Sequence, residues 1–480
     1  MPAVETYSST GNIYIDAVLG STRWVPSNLT YSFPTTAASY GSSYGDGEAA
    51  KGFGAFNGTQ QAIARTALNL YSAVSNLTFM ELGGTSGPSA DLRFAQSDLP
   101  NTAWAYFPST NAAGGDVWVN NSSLSYASPM KGNYAYFTIV HEIGHALGLE
   151  HSHENGMPLD RDSMEYTVMS YRSYAGASVS TGYANENWGY AQSLMMYDIA
   201  AIQHIYGANY ATNSGNTTYT WSPTTGEMFI DGVGQGAPGG NRILLTIWDG
   251  GGVDTYSFTN YTTSLTIDLQ PGAWTITSQE QRAKLNWDGS KLAVGNIANA
   301  LLYQGDTRSL VENASGGSAG DVIKGNAAIN TLRGNGGNDK LYGLGGGDAL
   351  FGGSGSDRLE GGAGNDKLYG QAGKDILVGG SGADTFVFQA LSDSRGSSFD
   401  TIQDFRRGSD RIDLRSIDAN TKVAGNQAFT FIGKSAFHHK AGELRFSDGI
   451  LSADVNGDSL VDFKVKVAGL SALSKGDFYL

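Results

Sequence analysis

Two histidines and a glutamate stand at a spacing that can bind a metal ion and use it. In His141-Glu142-Ile143-Gly144-His145 the imidazoles are four residues apart, so on a helix they share one face and can point at one ion. Glu142 can reach a water on that ion but is poorly placed as a ligand. Gly148 accepts the left-handed conformation that ends a helix, and the resulting turn brings His151 to the same ion. Three neutral imidazoles leave one position open for water, which is typical of a catalytic zinc site.

The chemistry predicted for this set is hydrolysis by an activated water. Zinc lowers the pKa of a bound water toward neutrality, and Glu142 is placed to take its proton as general base. The same carboxyl can return the proton to a leaving amine, so no covalent acyl-enzyme is needed.

Both helices and strands must position these residues. Apolar residues recur at helical spacing over residues 59–76, 134–147 and 194–206, and Thr59 is the expected N-cap of the first helix. Alternation of apolar and polar residues predicts short strands at 12–16, 29–33, 77–79, 92–94, 103–107 and 116–120. The mixture predicts one α+β domain, followed by a loop-rich junction and further strands.

Residues 316–387 are a repeat of eight nine-residue units with the pattern Gly-Gly-x-Gly-x-Asp-x-apolar-x, of which only unit 325–333 is badly degraded. The sixth position is Asp321, Asn330, Asp339, Asp348, Asp357, Asp366, Asp375 and Asp384, and the eighth is Ile323, Leu332, Leu341, Leu350, Leu359, Leu368, Leu377 and Phe386. We expect tight turns whose carbonyls and carboxylates face inward, with calcium between successive turns and the apolar residue packed inside. Without calcium the stacked carboxylates should repel one another and leave the segment disordered.

Composition narrows the function classes. The net charge of −15 over 480 residues argues against nucleic acid or an anionic membrane as partner, since both need basic patches. The chain has no cysteine, so disulfides, thiol catalysis and thiolate metal sites are excluded. No apolar run approaches the length of a membrane span. Residues 1–9 lack the basic and apolar regions of a cleaved secretory signal, which leaves a cytosolic protein or export through another part of the chain.

With these motifs together, the first half of the chain resembles the serralysins. His-Glu-x-x-His-x-x-Gly-x-x-His is the metzincin signature, and Tyr166-Thr167-Val168-Met169-Ser170-Tyr171 resembles the Met-turn, with Met169 as its methionine. The resemblance implies that Tyr171 ligates zinc at rest and swings to stabilise the tetrahedral intermediate. It also implies that Ala103, Ala105 and Tyr106 belong to an edge strand that pairs with an extended substrate. Such pairing reads backbone more than side chain, so broad specificity is expected.

The second half resembles the calcium-binding toxin-repeat (RTX) module of the same family. Trp248-Asp249-Gly250-Gly251-Gly252-Val253-Asp254 is similar to a serralysin calcium loop, and the remaining matches flank the repeat. The repeat and its flanks together give these candidate calcium ligands: Asn213, Gly215, Thr217, Asp249, Gly251, Gly252, Asp254, Glu312, Gly317, Asp321, Gly337, Asp339, Gly346, Asp348, Gly353, Gly355, Asp357, Gly362, Gly364, Asp366, Gly373, Asp375, Gly380, Gly382, Asp384, Asp393 and Asp400.

The fold class predicted on this basis is an α+β zincin-type (metzincin) catalytic domain followed by an all-β parallel β-roll domain. We place the catalytic domain at 1–240 and the calcium-binding roll at 241–480, with RTX repeats at 316–387, a C-terminal cap and a secretion signal. The end of the chain, Asp477-Phe478-Tyr479-Leu480, resembles the uncleaved C-terminal export signal of the family. The resemblance implies secretion through type I (ABC-transporter) machinery as an unfolded chain that folds in extracellular calcium.

The sequence departs from the family pattern at a few positions. Ser152 stands where serralysins usually have proline after the third histidine, and Arg172 stands where tryptophan commonly follows the tyrosine of the Met-turn. The stretch between His151 and Met169 is shorter than usual, and Asn213 replaces a residue that is usually arginine. These changes concern the wall of the cleft and a calcium loop, so substrate preference is the property they bear on.

Three functions compete. The leading hypothesis is a secreted zinc endopeptidase with one catalytic Zn²⁺ and several structural Ca²⁺, acting on protein or peptide substrates as a monomer, with a proteinaceous inhibitor open as a partner. The second is a calcium-dependent adhesin whose protease domain has decayed, which the intact Glu142 disfavours. The third is a zinc hydrolase of other substrates, which the Met-turn and His151 disfavour because both belong to peptidases.

Overall fold

The computed structural model describes residues 2–41, 44–123 and 126–480. In these ranges the α-helices are α1 Ile13–Asp16, α2 Gly58–Val74, α3 Tyr134–Ala146 and α4 Met196–Tyr206. Short 3₁₀ helices lie at Ala37–Tyr40, Glu48–Ala50, Gly84–Ser89, Tyr303–Gly305, Thr307–Ser309, Leu391–Asp393 and Lys475–Asp477. No helix in this part of the chain is long and apolar enough to cross a membrane.

Two local predictions in the N-terminal half were wrong, both because an asparagine caps a helix. Residues 12–16 form α1 rather than a strand, since Asn12 Oδ1 accepts a hydrogen bond from the Tyr14 amide at 3.0 Å. Helix α2 begins one residue before Thr59, and its N-cap is Asn57. The Asn57 and Gln60 side chains each accept the other's backbone amide, at 2.9 and 2.8 Å, which is a capping box.

A mixed sheet forms the scaffold of the first half. Its strands lie in the order Thr78–Glu81, Asn28–Ser32, Leu92–Ser97, Val117–Asn120 and Ala103–Ala105, with Gly54–Ala55 also paired to Leu92–Ser97. The strands are parallel except Gly54–Ala55 and Ala103–Ala105, and the latter runs antiparallel at the edge. Helices α2, α3 and α4 share one hydrophobic core with this sheet. A separate pair, Val4–Glu5 with Arg23–Trp24, holds the N-terminal segment.

Two long, mostly parallel sheets form the second half. The first has the order Val233–Gly234, Met228–Ile230, Thr218–Trp221, Thr255–Ser257, Asn313–Ser315, Thr331–Gly336, Ala349–Gly355, Lys367–Gly373, Thr385–Val387, Arg411–Asp413 and Phe478–Tyr479. The second has the order Thr266–Asp268, Val322–Lys324, Lys340–Gly345, Arg358–Ala363, Ile376–Ser381, Thr401–Ile402, Phe463–Val467, Ile450–Asp454, Glu443–Ser447 and Thr430–Phe431. Leu245–Ile247, Ile297–Asn299 and Trp274–Thr275 form a small third sheet. The mixed α+β unit followed by a parallel roll confirms the predicted fold class.

Successive repeat units alternate between the two long sheets. Leu332 pairs with Leu350, and Leu341 pairs with Leu359, so each strand lies beside the strand eighteen residues later. The apolar residues at the eighth repeat position are fully buried between the sheets, as predicted. The strands at residues 218–234 belong to the first long sheet, although they precede the predicted domain boundary at residue 240. The domain boundary at residue 240 stays a prediction.

Candidate metal centre and cleft

Helix α3 carries the first two histidines. Nearly all of its residues are buried, and this burial fixes the rotation of the helix in the core. Asn133 caps it by accepting from the Tyr136 amide at 2.9 Å. Gly144 lets the helix approach its neighbours closely: an added Cβ would lie 2.7 Å from Met169 Sδ and 2.8 Å from the Tyr71 hydroxyl. Gly148 has φ +104°, so it ends the helix by the left-handed turn that was predicted.

The three predicted ligand side chains converge. Nε2 of His141 lies 3.1 Å from Nε2 of His145 and 3.3 Å from Nε2 of His151, and the last two nitrogens are 2.9 Å apart. Tetrahedral zinc with nitrogen ligands at about 2.0–2.1 Å would separate its ligand atoms by roughly 3.4 Å. The three nitrogens therefore stand close to the spacing of zinc ligands, and this trio can hold a metal ion.

The other ring nitrogens are held by hydrogen-bond acceptors. Nδ1 of His141 lies 2.7 Å from the Val168 carbonyl, and Nδ1 of His145 lies 2.8 Å from the Leu149 carbonyl. Nδ1 of His151 lies 3.3 Å from Glu154 Oε1. An imidazole that donates from Nδ1 to an acceptor keeps Nε2 unprotonated and aimed at the ion.

Burial keeps these imidazoles neutral. Burial, followed by the charge of neighbouring imidazoles, lowers the pKa of His141 to about 3 and that of His151 to about 4. It also lowers the pKa of His145 well below its ordinary value. Neutral imidazole is the form that binds zinc, so the site is prepared for a metal ion over the physiological pH range.

Glu142 lines a cleft of about 440 Å³ together with His141 and Tyr171. Its carboxyl is buried, and Oε2 has no hydrogen-bond partner among the described residues. Burial raises the pKa of Glu142 to about 8. An unpartnered buried carboxyl beside three converging imidazoles is the placement that a general base needs, and it is not aimed as a fourth ligand.

The Met-turn segment lies under the imidazoles. Met169 is fully buried, and the Tyr171 ring lies 4.3 Å from the His151 ring and 5.8 Å from the His141 ring, between centroids. Burial, followed by the charge of Glu142, raises the pKa of Tyr171 to about 12, so its phenol stays protonated at neutral pH. The structure thus brings together the zinc trio, Glu142, Met169 and Tyr171.

Two buried aspartates hold this turn, and neither was predicted as a site residue. Asp198 on α4 accepts from the Val168 and Met195 amides, each at 2.8 Å, and from the Thr167 hydroxyl. Burial raises the pKa of Asp198 to about 7. Its place near the start of α4 was visible in the sequence, but nothing there indicated a contact thirty residues away.

Asp162 connects the third histidine to the tyrosine. Its Oδ1 accepts from the hydroxyls of Ser152 and Ser170, each at 2.6 Å, and its Oδ2 lies 2.8 Å from Arg172 Nε. Ser152 follows His151, while Ser170 and Arg172 flank Tyr171. Ser152 and Arg172, two of the departures from the serralysin pattern, thus contact the same buried carboxylate. The replacement of both residues together is the signal in the sequence that indicates a shared contact between Ser152 and Arg172.

His153 is a further residue that was not predicted at the site. Its ring lies 5.0 Å from the Tyr171 ring and 5.5 Å from the His151 ring, between centroids. Its buried Nδ1 has no partner among the described residues. The rings of His151 and His153 thus both contact Tyr171 and restrain it.

The edge strand predicted to pair with substrate is present. Ala103–Ala105 runs antiparallel to Val117–Asn120 and ends the sheet, and Ala103 lines the cleft. Tyr106 lies one residue beyond the strand, but its amide still donates to the Asp116 carbonyl at 3.0 Å. The opposite wall of the cleft is aromatic, formed by Tyr134, Phe137, Tyr183 and Tyr190.

At most acidic positions of the roll, one carboxylate oxygen accepts a backbone hydrogen bond and the other has no hydrogen-bond partner among the described residues. Oδ1 of Asp357 accepts from the Asp339 amide at 2.8 Å, and Oδ1 of Asp339 accepts from the Asp321 amide at 2.7 Å. Buried Oδ2 atoms without a hydrogen-bond partner among the described residues belong to Asp254, Asp339, Asp348, Asp357, Asp366, Asp375, Asp384 and Asp400. Carboxylate oxygens are the ligands that calcium takes in proteins, so these rows could hold it.

The glycines of the roll are required by close backbone approach. Gly353, Gly355, Gly362, Gly364, Gly373, Gly380 and Gly382, with Gly337 and Gly346, all have positive φ. A Cβ on Gly364 would lie 1.4 Å from the Gly346 carbonyl oxygen, and one on Gly355 would lie 1.7 Å from that of Gly337. The turns therefore stack too closely to admit a side chain at these positions. Ligation of calcium by their backbone carbonyls stays a prediction.

Some predicted ligands already accept hydrogen bonds from the protein, through both carboxylate oxygens in Asp321 and through Oδ2 alone in Asp393. Asp321 accepts from the Gly317 and Leu265 amides at 2.7 and 2.8 Å, and Asn330 takes the acidic position in the degraded unit. Asp393 Oδ2 accepts from the Gln389 and Ala390 amides at 2.7 and 3.0 Å. Participation of Asp321 and Asp393 in binding a cation stays a prediction.

The loop before the repeat forms a second acidic group. Burial raises the pKa of Asp249 to about 8, and Asp249 Oδ2 accepts from the Tyr219 hydroxyl at 2.6 Å. The Asp254 amide donates to Glu312 Oε2 at 2.7 Å, which brings these predicted ligands together. Gly251 and Gly252 have φ of +133° and +140°. On the partner segment the Thr217 hydroxyl donates to the Gly215 and Asn213 carbonyls at 3.0 and 3.2 Å.

Comparison with known proteins covers both halves. Residues 208–480 match the family described as Peptidase M10 serralysin C terminal, and residues 23–167 match the family described as Matrixin. The metallopeptidase AprA of Pseudomonas marginalis is 35% identical over 93% of this chain and 85% of the relative. Serralysin A of Dickeya chrysanthemi is 35% identical over 92% of this chain and 83% of the relative. A serralysin of Proteus mirabilis is 32% identical over 63% of this chain and 60% of the relative.

Proposed function

Because this chain belongs to the serralysin family of zinc metalloendopeptidases, we propose that its own zinc ligands are His141, His145 and His151 and that Glu142 is the general base. The observation that carries this assignment is the convergence of three neutral Nε2 atoms beside an unpartnered buried carboxyl. Tyr171 serves as an additional zinc ligand at rest and as a hydrogen-bond donor to the developing oxyanion during catalysis.

The side chains of the cleft divide the work of hydrolysis. Zinc, when bound, supplies Lewis acidity that activates water and polarises the peptide carbonyl. Glu142 accepts the proton of the attacking water and passes it to the leaving amine. The phenol of Tyr171, protonated because burial raises its pKa, donates to the oxyanion. Val168, Leu149 and Glu154 keep the imidazoles oriented through Nδ1.

Substrate binds as an added strand. The free edge of Ala103–Ala105 offers the backbone groups of Ala103 and Ala105 to an extended peptide. Tyr106 adjoins this edge and contributes its side chain, because its backbone amide donates to the Asp116 carbonyl. Backbone pairing is independent of the substrate sequence, which accounts for broad specificity. The aromatic wall adds a preference for an apolar side chain next to the scissile bond, because aromatic surface favours apolar over charged groups.

Calcium ions bind along the roll and hold it folded. The support is the rows of buried carboxylate oxygens that lack a partner, together with glycines whose close approach admits no side chain. Several adjacent buried carboxylates repel one another when ionised, so an ion that takes six or more oxygen ligands relieves that repulsion. Asp249, Asp254 and Glu312 supply the same chemistry ahead of the repeat.

The enzyme acts outside the cell after type I (ABC-transporter) export as an unfolded chain. In the folded protein Asp477 and Phe478 are buried, and Phe478–Tyr479 is paired with Arg411–Asp413. A signal placed there can be read only before the roll has folded, which suits export ahead of calcium binding. The folded product works as a monomer, and a proteinaceous inhibitor that enters the cleft is a further partner. No role for nucleic acid or membrane is proposed.

The decisive experiment compares wild type with Glu142→Gln. Both proteins are loaded with zinc and calcium, and hydrolysis of casein is measured before and after o-phenanthroline. We expect a loss of at least a thousandfold in kcat for Glu142→Gln, since the variant keeps the shape but not the base. Activity of the wild type should disappear with the chelator and return when zinc is restored.

The control is Glu360→Gln, which removes an equivalent carboxyl that is paired with Arg358 on the roll surface. This variant should retain wild-type kcat, and all proteins should show equal zinc content and the same far-ultraviolet circular dichroism. A folded, zinc-loaded wild type without activity would overturn the proposal and favour a calcium-dependent binding protein.

A further inference from the structure

A small hairpin from the second half of the chain presents an exposed tryptophan. Residues 284–292, which we call the Trp287 hairpin, begin and end at a bridge between Lys284 and Leu292. The Leu285 amide donates to the Lys291 carbonyl at 2.8 Å, and the turn is closed by a bond from the Gly289 amide to the Asn286 carbonyl at 2.8 Å. These bonds fix the backbone that carries Trp287.

The hairpin is bonded to the chain segment between Tyr183 and Tyr190, two residues of the aromatic wall. The Trp287 amide donates to the Ala184 carbonyl at 2.7 Å, and the Glu186 amide donates to the Lys284 carbonyl at 3.1 Å. The Glu186 carboxylate in turn accepts from the Lys284 amide at 3.0 Å and pairs with Arg242 at 2.6 Å. The hairpin is therefore attached to the segment that directly follows the cleft residue Tyr183.

The hairpin lies close to the opening of the cleft. Gly182 and Tyr183 line the cleft, and Ala184 is the next residue. Two residues of extended chain span at most about 7 Å, so the backbone that bonds Trp287 lies within that distance of Gly182. The Lys291 ammonium lies over the ring of Tyr174, 5.4 Å from its centroid, which is a further contact between the hairpin and the first half of the chain.

The indole itself is left uncovered. Trp287 is 73% exposed, which is the largest exposed fraction among the big apolar side chains of the described residues. A single exposed apolar residue is ordinary on a protein surface. Here, however, the residue is the largest apolar side chain and sits on a backbone anchored at both ends, so little conformational entropy is lost when a partner covers it.

We propose that Trp287 is a contact point for polypeptide substrates outside the cleft, where it binds an apolar side chain of an extended chain that already occupies the edge strand. The occupant follows from continuity: Ala184, which bonds the hairpin, is next to the cleft-lining residues Gly182 and Tyr183, so a chain that leaves the cleft on this side meets the hairpin. The inference rests on the proposed peptidase function. It gives the second half of the molecule a direct part in substrate selection.

The test compares an unfolded protein with a short peptide. We would measure kcat/KM of Trp287→Ala for reduced, alkylated casein and for a fluorogenic peptide that fills only the cleft, relative to wild type. The ratio of casein to peptide kcat/KM should fall about five- to tenfold, mainly through KM, because loss of a buried aromatic anchor has an effect of this size at interfaces. Trp287→Phe should recover most of the ratio.

The matched control is Leu460→Ala, which removes an equally exposed apolar side chain (68%) from the turn before Phe463–Val467. Its casein-to-peptide ratio should equal that of wild type. An unchanged ratio in Trp287→Ala, with peptide hydrolysis intact, would overturn the role of Trp287 and leave the peptidase function standing. Failure of wild type on both substrates would instead strike the proposed function.

Discussion

Buried Asp162 shows how one carboxylate can hold together two segments of the candidate metal centre. The carboxylate is 1% exposed and contacts side chains on either side of Tyr171 as well as the residue after His151. These side chains belong to two segments, one that follows His151 and one around Tyr171. In this chain two hydroxyls and a guanidinium join them through directional bonds, which fix distances more strictly than apolar packing does.

Replacement of Asp162 by alanine should therefore loosen the third histidine and the tyrosine together. The variant leaves the Arg172 guanidinium, which is largely buried, without its carboxylate partner, so we expect roughly 3 kcal/mol of destabilisation. Zinc affinity should fall about tenfold, as it does when partners that orient a ligand are removed. Competition with a chromogenic chelator measures the affinity without reference to activity.

Asp160→Ala is the control, since that carboxylate lies on the same loop but is exposed. It should bind zinc as wild type does. Equal affinity in both variants, each folded by circular dichroism, would show that Asp162 does not position His151.

The metal trio could be predicted from the sequence because one helix and one turn set its geometry. His141 and His145 depend only on helical periodicity, and Gly148 dictates the turn to His151. Asp162 and Asp198 could not be predicted in this way. Their partners lie on loops whose paths depend on the packing of the entire core, which no local pattern encodes.

Helix α2 illustrates the same limit in a single element. Its apolar period and length were predicted, but its first residue was not, because Asn57 and Thr59 are both favoured N-cap residues. The structure selects Asn57, whose amide nitrogen also donates to the Ala127 carbonyl at 2.9 Å. A tertiary contact decides between caps that are locally equivalent.

Asn57→Ala should lower the free energy of unfolding by about 1–2 kcal/mol, the usual value of an N-cap side chain. Thr59→Ala is the matched control, since Thr59 lies inside the first turn with its side chain exposed and should change stability by less than about 0.5 kcal/mol. Urea unfolding followed by tryptophan fluorescence measures both. A larger loss for Thr59→Ala would show that the capping box is not the start of α2.

The stacked carboxylates make the stability of the whole molecule depend on pH and calcium. Burial raises the pKa of Asp339 and Asp348 to about 7, that of Asp375 to about 8 and, with the charge of Asp375, that of Asp400 to about 9. The unfolded value is about 3.9. A carboxyl whose pKa is raised in the folded state contributes its full stabilisation below the unfolded pKa. That stabilisation is lost as the pH rises through the folded pKa.

The calcium-free protein should accordingly hold its roll better near about pH 5 than near about pH 8. We expect the strand signal in circular dichroism, recorded in excess chelator, to decline across this interval. With calcium present the trend should reverse, because the ion binds the ionised carboxylates and competes with protons. Calcium-free protein whose roll gains stability between these two pH values would contradict the assignment of the carboxylates.

The pairing of residues eighteen apart fixes how the roll can lengthen or shorten during evolution. Nine residues complete half a circuit of the roll. Loss of one unit would therefore move every later strand to the opposite long sheet. The cap and the terminal strand would then be turned by roughly half a revolution relative to the metal centre. Loss of two units shortens the stack by one strand spacing, about 4.8 Å, and preserves the azimuth. Related rolls should therefore differ in length by whole circuits.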